Sequence, residues 1–163
     1  MVEPVNFDNA KLIIEYGPGT GVFTKEIISR KKPETMLILI EQNDAFFKKL
    51  SSDFHGRNNT LVIQGSAEQA DKIAGQYSPY KANAVISGLP FTSLPSTVSH
   101  KILKSTGQLI GDSGIFVTFQ YSRVKEKLFT KYFSIDERLH EPRNIPPAYV
   151  YVFKNKDEKG ETN

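Results

Sequence analysis

The sequence contains no cysteine and only three histidines among its 163 residues. The absence of cysteine excludes a disulfide scaffold and a cysteine nucleophile, and it fits a reducing compartment. Because zinc sites are built mainly from cysteine and histidine, we expect no structural zinc site and no other metal centre. No apolar run approaches the roughly 20 residues of a membrane-spanning helix. The first residues lack the basic and apolar segments of a secretory signal, so a cytoplasmic location is expected.

The composition is that of one soluble globular domain. Hydrophobic residues make up 39% and charged residues 24% of the chain, which is an ordinary balance. The net charge is +3 and the sequence pI is about 9.0. A mildly basic surface permits a phosphate-bearing partner such as RNA or an anionic membrane surface, although a solvated surface alone also accounts for it.

Short apolar runs alternate with helical patterns along most of the chain. Uninterrupted apolar runs suit strands that are buried on both faces of a parallel sheet. Strands are predicted at residues 12–16, 36–40, 61–64, 84–87, 115–120, 135–140 and 149–153. Helices are predicted at residues 22–30, 44–54, 68–74, 94–110 and 123–132, with Gly111 as the stop signal of the fourth.

The end of the chain breaks this alternation. Pro142, Pro146 and Pro147 lie between the last two strands and leave no room for a helix, so these strands are predicted to be antiparallel. The fold class is thus α/β, a doubly wound, mostly parallel seven-stranded sheet with a C-terminal antiparallel strand pair. Residues 1–154 are expected to form a single domain and residues 155–163 a disordered polar tail. Ligands of such sheets bind beyond the carboxyl ends of the strands.

The first strand runs into the glycine-rich turn Glu15-Tyr16-Gly17-Pro18-Gly19-Thr20-Gly21. Glycines let a backbone turn tightly and come close to a ligand, and the helix that follows presents unpaired N–H groups and a positive dipole end. A second acidic residue, Glu41, ends the second strand, where a carboxylate can accept hydrogen bonds from ribose hydroxyls. The pattern indicates a nucleoside-bearing ligand, and a glycine turn with a purely geometric role is the alternative.

Val22 argues against NAD as that ligand, because the usual dinucleotide pattern has a third glycine there, beside the pyrophosphate. The Glu-x-Gly-x-Gly-x-Gly form instead resembles motif I of class I methyltransferases that use S-adenosylmethionine (SAM), a cofactor without a diphosphate. The resemblance implies a Rossmann-like fold and a SAM site that comprises Glu15, Gly17, Gly19, Gly21, Glu41, Ser66 and Ala67. Many related enzymes carry Asp at the position of Ser66, where it binds the adenine amino group. A helix N-cap is the alternative role of Ser66.

The fourth strand ends in Ser87-Gly88-Leu89-Pro90-Phe91, which resembles motif IV of N-methyltransferases. Methyl transfer to nitrogen is an in-line displacement, so positioning of the amine dominates. Oxygen atoms of Ser87 and Gly88 can orient the amine, and Pro90 fixes the turn. Phe91 can stack on a base or hold a methylated ammonium by cation–π contact. We expect these four residues to form the catalytic turn, and the alternative is that Leu-Pro-Phe simply ends a buried strand.

Two families of N-methyltransferases carry similar motifs. The rRNA adenine dimethyltransferases have Asn-hydrophobic-Pro-Tyr/Phe at this place, whereas the bacterial phospholipid N-methyltransferases have Ser-Gly-Leu-Pro-Phe. The stretch Arg143-Asn144-Ile145-Pro146-Pro147-Ala148-Tyr149-Val150 is also similar to the phospholipid group. The rRNA enzymes usually add a helical RNA-binding domain after the sheet, whereas this sequence ends there. The resemblance therefore favours the lipid branch.

The predicted function is SAM-dependent N-methylation of a phospholipid amine by a cytoplasmic protein, peripheral on the inner face of the membrane. Arg143 is the first candidate to bind the lipid phosphate, with a solvated loop arginine as its alternative. His140, Tyr121 and Tyr16 are candidates to assist proton removal from the amine. An rRNA adenine N6-methyltransferase and a non-catalytic SAM-binding or interaction module are the alternative functions.

The segment before the first strand is short. SAM methyltransferases usually have helices there that cover the cofactor, and residues 1–11 are too few to form them. We therefore expect a cofactor cleft that is open on that side.

Overall fold

The computed structural model of the chain describes residues 1–121, 123–141 and 148–156. The strands are β1 (Leu12–Tyr16), β2 (Met36–Glu41), β3 (Thr60–Gln64), β4 (Ala82–Ser87), β5 (Ile110–Gln120), β6 (Phe133–Glu141) and β7 (Ala148–Asn155). The helices are α1 (Val22–Arg30), α2 (Asp44–Asp53), α3 (Ala70–Tyr77), α4 (Ser96–Leu109) and α5 (Glu126–Phe129). A 3₁₀ turn at Ala67–Gln69 precedes α3.

The seven strands form one sheet in the order β3-β2-β1-β4-β5-β7-β6. Strands β1 to β5 pair in parallel, whereas β7 pairs antiparallel with both β5 and β6. This topology confirms the predicted doubly wound sheet with its antiparallel strand pair. The strand order reverses between β1 and β4, and the crevice beyond their carboxyl ends is where open sheets of this kind bind ligands.

Both faces of the sheet are covered, which explains the continuous apolar runs of its strands. All five residues of β1 are buried. Because side chains alternate along a strand, Leu12, Ile14 and Tyr16 pack with α3, α4 and α5. Ile13 points to the opposite face, which α1, α2 and the first ten residues cover.

The segment before β1 lies against this second face without forming a helix. Val2, Val5, Phe7 and Ala10 are buried there, in one cluster with apolar residues of β4, β5 and β7. Residues 1–11 thus cover part of this face of the sheet.

Several element boundaries differ from the prediction. Strand β5 begins at Ile110, directly after α4, and Gly111 therefore lies inside the strand rather than at the helix stop. Helix α5 has four residues instead of the predicted ten. Asn155 was assigned to the polar tail, but it ends β7 and its side-chain amide donates to the carbonyls of Gly107 and Ile110. Ile110 pairs with Ala82 and Asn155 with Phe133, so strand pairing overrides local propensity at these two residues. Within the part of the chain that the structure describes, no helix is long and apolar enough to cross a membrane.

Candidate active site

The glycine-rich turn after β1 has left-handed backbone angles at three positions. The φ angles of Gly17, Gly19 and Gly21 are 58°, 56° and 78°, a region that side chains with a Cβ rarely adopt. A Cβ on Gly17 would lie 2.7 Å from Cδ2 of Leu89. No side chain caps the start of α1, and its first turn holds no acidic residue. The free N–H groups of α1 are therefore open to a polar ligand.

Glu41 connects the end of β2 to this turn. Its carboxylate accepts one hydrogen bond from the N–H of Gly19 at 3.1 Å and another from the N–H of Asn43 at 2.8 Å. An ionised carboxylate has about four lone-pair positions, so Glu41 retains acceptor capacity for the hydroxyls of a ribose.

Glu15 lies beneath the same turn and is almost fully buried. Its Oε2 accepts a hydrogen bond from the Thr24 hydroxyl at 2.7 Å, while its Oε1 is buried without a partner among the described residues. Burial raises the pKa of Glu15 to about 7. The Thr24 hydrogen bond opposes this rise and the charge of Glu41 adds to it. A spare carboxyl acceptor behind the turn fits a cofactor that carries an ammonium group, as SAM does.

A small cavity of about 70 Å³ lies between the glycine turn, the ends of β2 and β3, and Leu89. Gly17, Glu41, Ser66 and Ala67 contribute to its wall. Ser66 also caps the 3₁₀ turn, because its Oγ accepts from the Glu68 N–H and contacts Oε2 of Glu68, both at 3.2 Å. The structure thus brings together the predicted cofactor residues, and Ser66 is both an N-cap and part of the cavity wall.

The turn after β4 rests directly on the glycine turn. The N–H of Gly88 donates to the carbonyl of Tyr16 at 3.1 Å, and a Cβ on Gly88 would lie 3.3 Å from the carbonyl oxygen of Gly17. Ser87 is fully buried, and its hydroxyl accepts a hydrogen bond from the N–H of Leu89. The Ser87 hydroxyl therefore shapes the turn, whereas Gly88 and Pro90 face a cavity.

Phe91 and Tyr16, both predicted as candidate site residues, are core residues in the structure. Phe91 is fully buried in the core, with its ring centroid 5.0 Å from Phe129 in an edge-to-face arrangement. Its ring therefore has no face to offer to a substrate, and the prediction of a substrate contact is corrected. Tyr16 is also fully buried and its hydroxyl bonds to Thr106. Burial raises the pKa of Tyr16, which makes it unsuitable as a base.

A larger cavity of about 510 Å³ lies on the other side of the Ser87–Pro90 turn. Gly88, Pro90 and Thr92 line it together with three aromatic residues, Phe23, Phe119 and Tyr121. The prediction missed Phe23 and Phe119 and considered Tyr121 only for proton removal. The alternation of Phe119 and Tyr121 at the end of a strand was the signal that could have placed both on one face.

Two further candidates remain predictions. Arg143 lies outside the described residues. The backbone of His140 pairs with Tyr149 in the β6–β7 ladder. Within the described residues, no three His, Asp or Glu side chains lie close enough together to hold a metal ion.

No family model matches the chain, but two curated proteins are similar to it. The ornithine lipid N-methyltransferase of Singulisphaera acidiphila is 30% identical over 158 residues, which cover 96% of this chain and 82% of that protein. The ribosomal RNA small subunit methyltransferase A of Dehalococcoides mccartyi is 32% identical over 81 residues, 48% of this chain and 26% of that protein.

Solved structures share the fold at low sequence identity. N-methyltransferase NodS from Bradyrhizobium japonicum, in complex with S-adenosyl-L-homocysteine, superposes with a TM-score of 0.73 at 11% identity, over 92% of this chain and 81% of NodS. A fibrillarin pre-rRNA processing protein from Methanococcus jannaschii superposes with a TM-score of 0.74 at 13% identity, over 91% of this chain and 68% of the fibrillarin chain. SAM is therefore the cofactor of this protein. The chain belongs to the family of SAM-dependent N-methyltransferases that includes the ornithine lipid enzyme of Singulisphaera acidiphila.

Proposed function

We propose that the protein methylates the amine of a membrane lipid, in the head group of a phospholipid or of ornithine lipid. One observation carries this proposal: the similarity to an ornithine lipid N-methyltransferase extends over 96% of the chain. The similarity to an rRNA methyltransferase extends over only 48%. A protein that acts on such a lipid would work at the inner face of the membrane, and the net charge of +3 is compatible with an anionic lipid surface.

The cofactor side of the site is formed by residues near the glycine turn. SAM supplies a methyl group that is activated by attachment to a sulfonium. We assign ribose binding to Glu41, whose carboxylate lines the small cavity. Gly17, Gly19 and Gly21 allow close approach of the backbone, and the unpaired Oε1 of Glu15 is available to an ammonium group. Ser66 and Ala67 form the wall that faces the nucleoside.

The acceptor side is formed by the larger cavity beyond the Ser87–Pro90 turn. Leu89 lines the small cavity, whereas Gly88 and Pro90 line the large one. The turn therefore separates the two sides by the thickness of one backbone segment, and methyl transfer would take place at its edge. Because positioning dominates an in-line displacement, the role of Gly88 and Pro90 is to hold the amine at a fixed distance and angle.

The lipid phosphate, where the substrate has one, requires a cation. Arg143 stays our candidate for it, on the sequence alone, because a guanidinium forms two parallel hydrogen bonds with a phosphate. Lipids without a phosphate would not need this contact. The assignment therefore predicts that substitution of Arg143 lowers the methylation of a lipid that has a phosphate more than that of a lipid without one.

Radiolabelled methyl transfer tests the proposed function. The protein is incubated with labelled SAM and with vesicles that contain phosphatidylethanolamine, ornithine lipid or only phosphatidylcholine, and in parallel with ribosomal RNA. We expect label in at least one of the two aminolipids and none in phosphatidylcholine, which has no free amine. Label in RNA alone would overturn the lipid proposal and support adenine methylation, the second candidate, which the partial similarity to an rRNA enzyme favours.

A further inference from the structure

The core position of Phe91 leaves the acceptor amine without the aromatic contact that the sequence predicted. Other aromatic rings do reach the acceptor cavity. Phe119 and Tyr121 line it together, with ring centroids 5.0 Å apart and an interplanar angle of 86°. This edge-to-face pair lines the same cavity as Gly88 and Pro90.

The backbone of β5 fixes this aromatic pair relative to the reaction turn. Phe119 is paired with Val150 in the ladder between β5 and β7. Gln120, between the two rings in sequence, donates its side-chain amide to the carbonyl of Leu89 at 3.1 Å and to the Thr118 hydroxyl at 2.9 Å. The end of β5 is therefore tied to the turn after β4, and the rings hold a defined distance from it.

The electrostatics of the cavity suit an amine that becomes a cation. Among the described residues that line it, none has a charged side chain, and the α-amino group of Met1, another lining residue, is paired with the Glu3 carboxylate at 3.6 Å. In the transfer, the nitrogen lone pair forms the new N–C bond while the electrons of the S–C bond remain on sulfur, so positive charge moves from sulfur to nitrogen. The negative face of an aromatic ring attracts this charge. A carboxylate at the same place would instead hold the amine protonated and unreactive.

We propose that Phe119 and Tyr121, with Phe23 beside them, form a subsite for the alkylated ammonium group of the acceptor. The proposal rests on the proposed function only in taking the larger cavity as the acceptor side. The subsite stabilises the nitrogen as it gains charge and retains a partly methylated amine for the next transfer. It is selective for a small alkylammonium, whatever molecule carries that group.

Binding of a small cation tests the subsite without the natural substrate. Choline carries a trimethylammonium group, and 3,3-dimethylbutan-1-ol has the same shape without the charge. We expect choline to bind to the protein saturated with S-adenosyl-L-homocysteine about fivefold to thirtyfold more tightly than the neutral analogue, since a desolvated cation–π contact contributes roughly one to two kcal/mol. Equal affinity for the two probes, or no binding of either, would overturn the proposal.

Variants locate the binding site within the cavity. We expect Phe119→Leu to weaken choline binding about tenfold and Tyr121→Leu, whose ring is more exposed, about threefold. Tyr80→Leu is the matched control, because Tyr80 and Tyr121 are both 59% exposed and Tyr80 lies outside this cavity. Tyr121→Leu removes an exposed ring, so it remains informative if Phe119→Leu proves unstable. Unchanged choline affinity in folded Tyr121→Leu contradicts the assignment.

The same variants distinguish failure of the subsite from failure of the proposed function. Choline binding that depends on Tyr121, together with no methylation of any lipid, would retain the subsite and reject the lipid substrate. If Tyr121→Leu methylates lipid as the wild-type protein does, with the same proportions of singly and multiply methylated product, the lipid substrate would be retained and the subsite rejected. We expect Tyr121→Leu to release more of the singly methylated lipid than the wild-type protein does.

Discussion

The two cavities beside the Ser87–Pro90 turn are built in different ways. The cofactor side is lined by glycines and other small residues, by the carboxylate of Glu41 and by aliphatic side chains such as Ile40, Leu89 and Ile102, and its volume is about 70 Å³. The acceptor side is lined by aromatic rings from separate elements, and its volume is about 510 Å³. Typical small-molecule sites measure roughly 300–1,000 Å³. The acceptor side is thus already large enough for a ligand, whereas the cofactor side has to widen before a nucleoside can enter.

Leu89 explains this difference. Its Cδ2 would lie 2.7 Å from a Cβ on Gly17, so its side chain reaches to the glycine turn and fills the space beside Glu41. The same residue is bonded through its carbonyl to Gln120 on the acceptor side. Leu89 thus contacts both sides, the glycine turn through its side chain and the end of β5 through its carbonyl.

The largest effect is expected at Phe91, which the structure assigns to neither cavity. Phe91→Ala should lower the free energy of unfolding by about 3–5 kcal/mol, because it leaves a hole between Phe116 and Phe129. Urea denaturation measures this loss. Phe91→Leu should keep most of the methyl transfer activity, since the ring does not face the substrate. A stable Phe91→Leu protein that binds SAM normally but transfers no methyl would show that Phe91 belongs to the acceptor side after all.

Glu15 is expected to make stability depend on pH. Its pKa is raised from 4.5 to about 7 in the folded protein, so the folded state binds the proton more tightly than the unfolded state. The stability of the wild-type protein should therefore fall as pH rises from about 4.5 through 7. Glu15→Gln removes this titration and should be more stable than wild type at pH 8 by roughly 3 kcal/mol, with no such gain near pH 4. The measurement is the free energy of unfolding of both proteins as a function of pH. If it changed with pH in the same way in both, the buried, unpaired state of Glu15 would be contradicted.

Substitution of Gly17 tests whether the close approach of Leu89 to the glycine turn limits cofactor binding. Gly17→Ala places a Cβ at a left-handed φ of 58° and against Leu89, and we expect the dissociation constant for SAM to rise roughly tenfold to a hundredfold. Gly56→Ala is the matched control, because Gly56 has a φ of 71° and open space around it. It should cost about 1 kcal/mol of stability without a change in SAM affinity. Equal SAM affinities in the two variants would mean that the contact with Leu89 is unimportant.

The cofactor side and the acceptor side also differ in how much of each could be predicted from the sequence. The cofactor side is encoded locally, because each of its parts follows a strand within a few residues, as Gly17 follows β1 and Ser66 follows β3. The acceptor side depends on which face of the sheet a side chain occupies. Phe91 turns into the core, whereas Phe119 and Tyr121 reach the cavity because β5 pairs with β7, a contact between distant segments. Motif spacing does not contain that information, and the motif alone therefore misplaced the aromatic contact.

The smallest effect is expected at Ser66, at the edge of the cofactor side. Ser66→Ala removes the cap on the 3₁₀ turn and should cost about 1 kcal/mol of stability, whereas Ser66→Asn should restore most of it. Glu68 already places a carboxylate oxygen 3.2 Å from the Ser66 hydroxyl. An aspartate at position 66 would set two carboxylates side by side. If capping is its main role, Ser66→Ala should change SAM affinity less than about threefold in titration calorimetry, well below the effect at Gly17. A tenfold loss of affinity in Ser66→Ala, with stability unchanged, would instead make Ser66 a direct contact of the adenine.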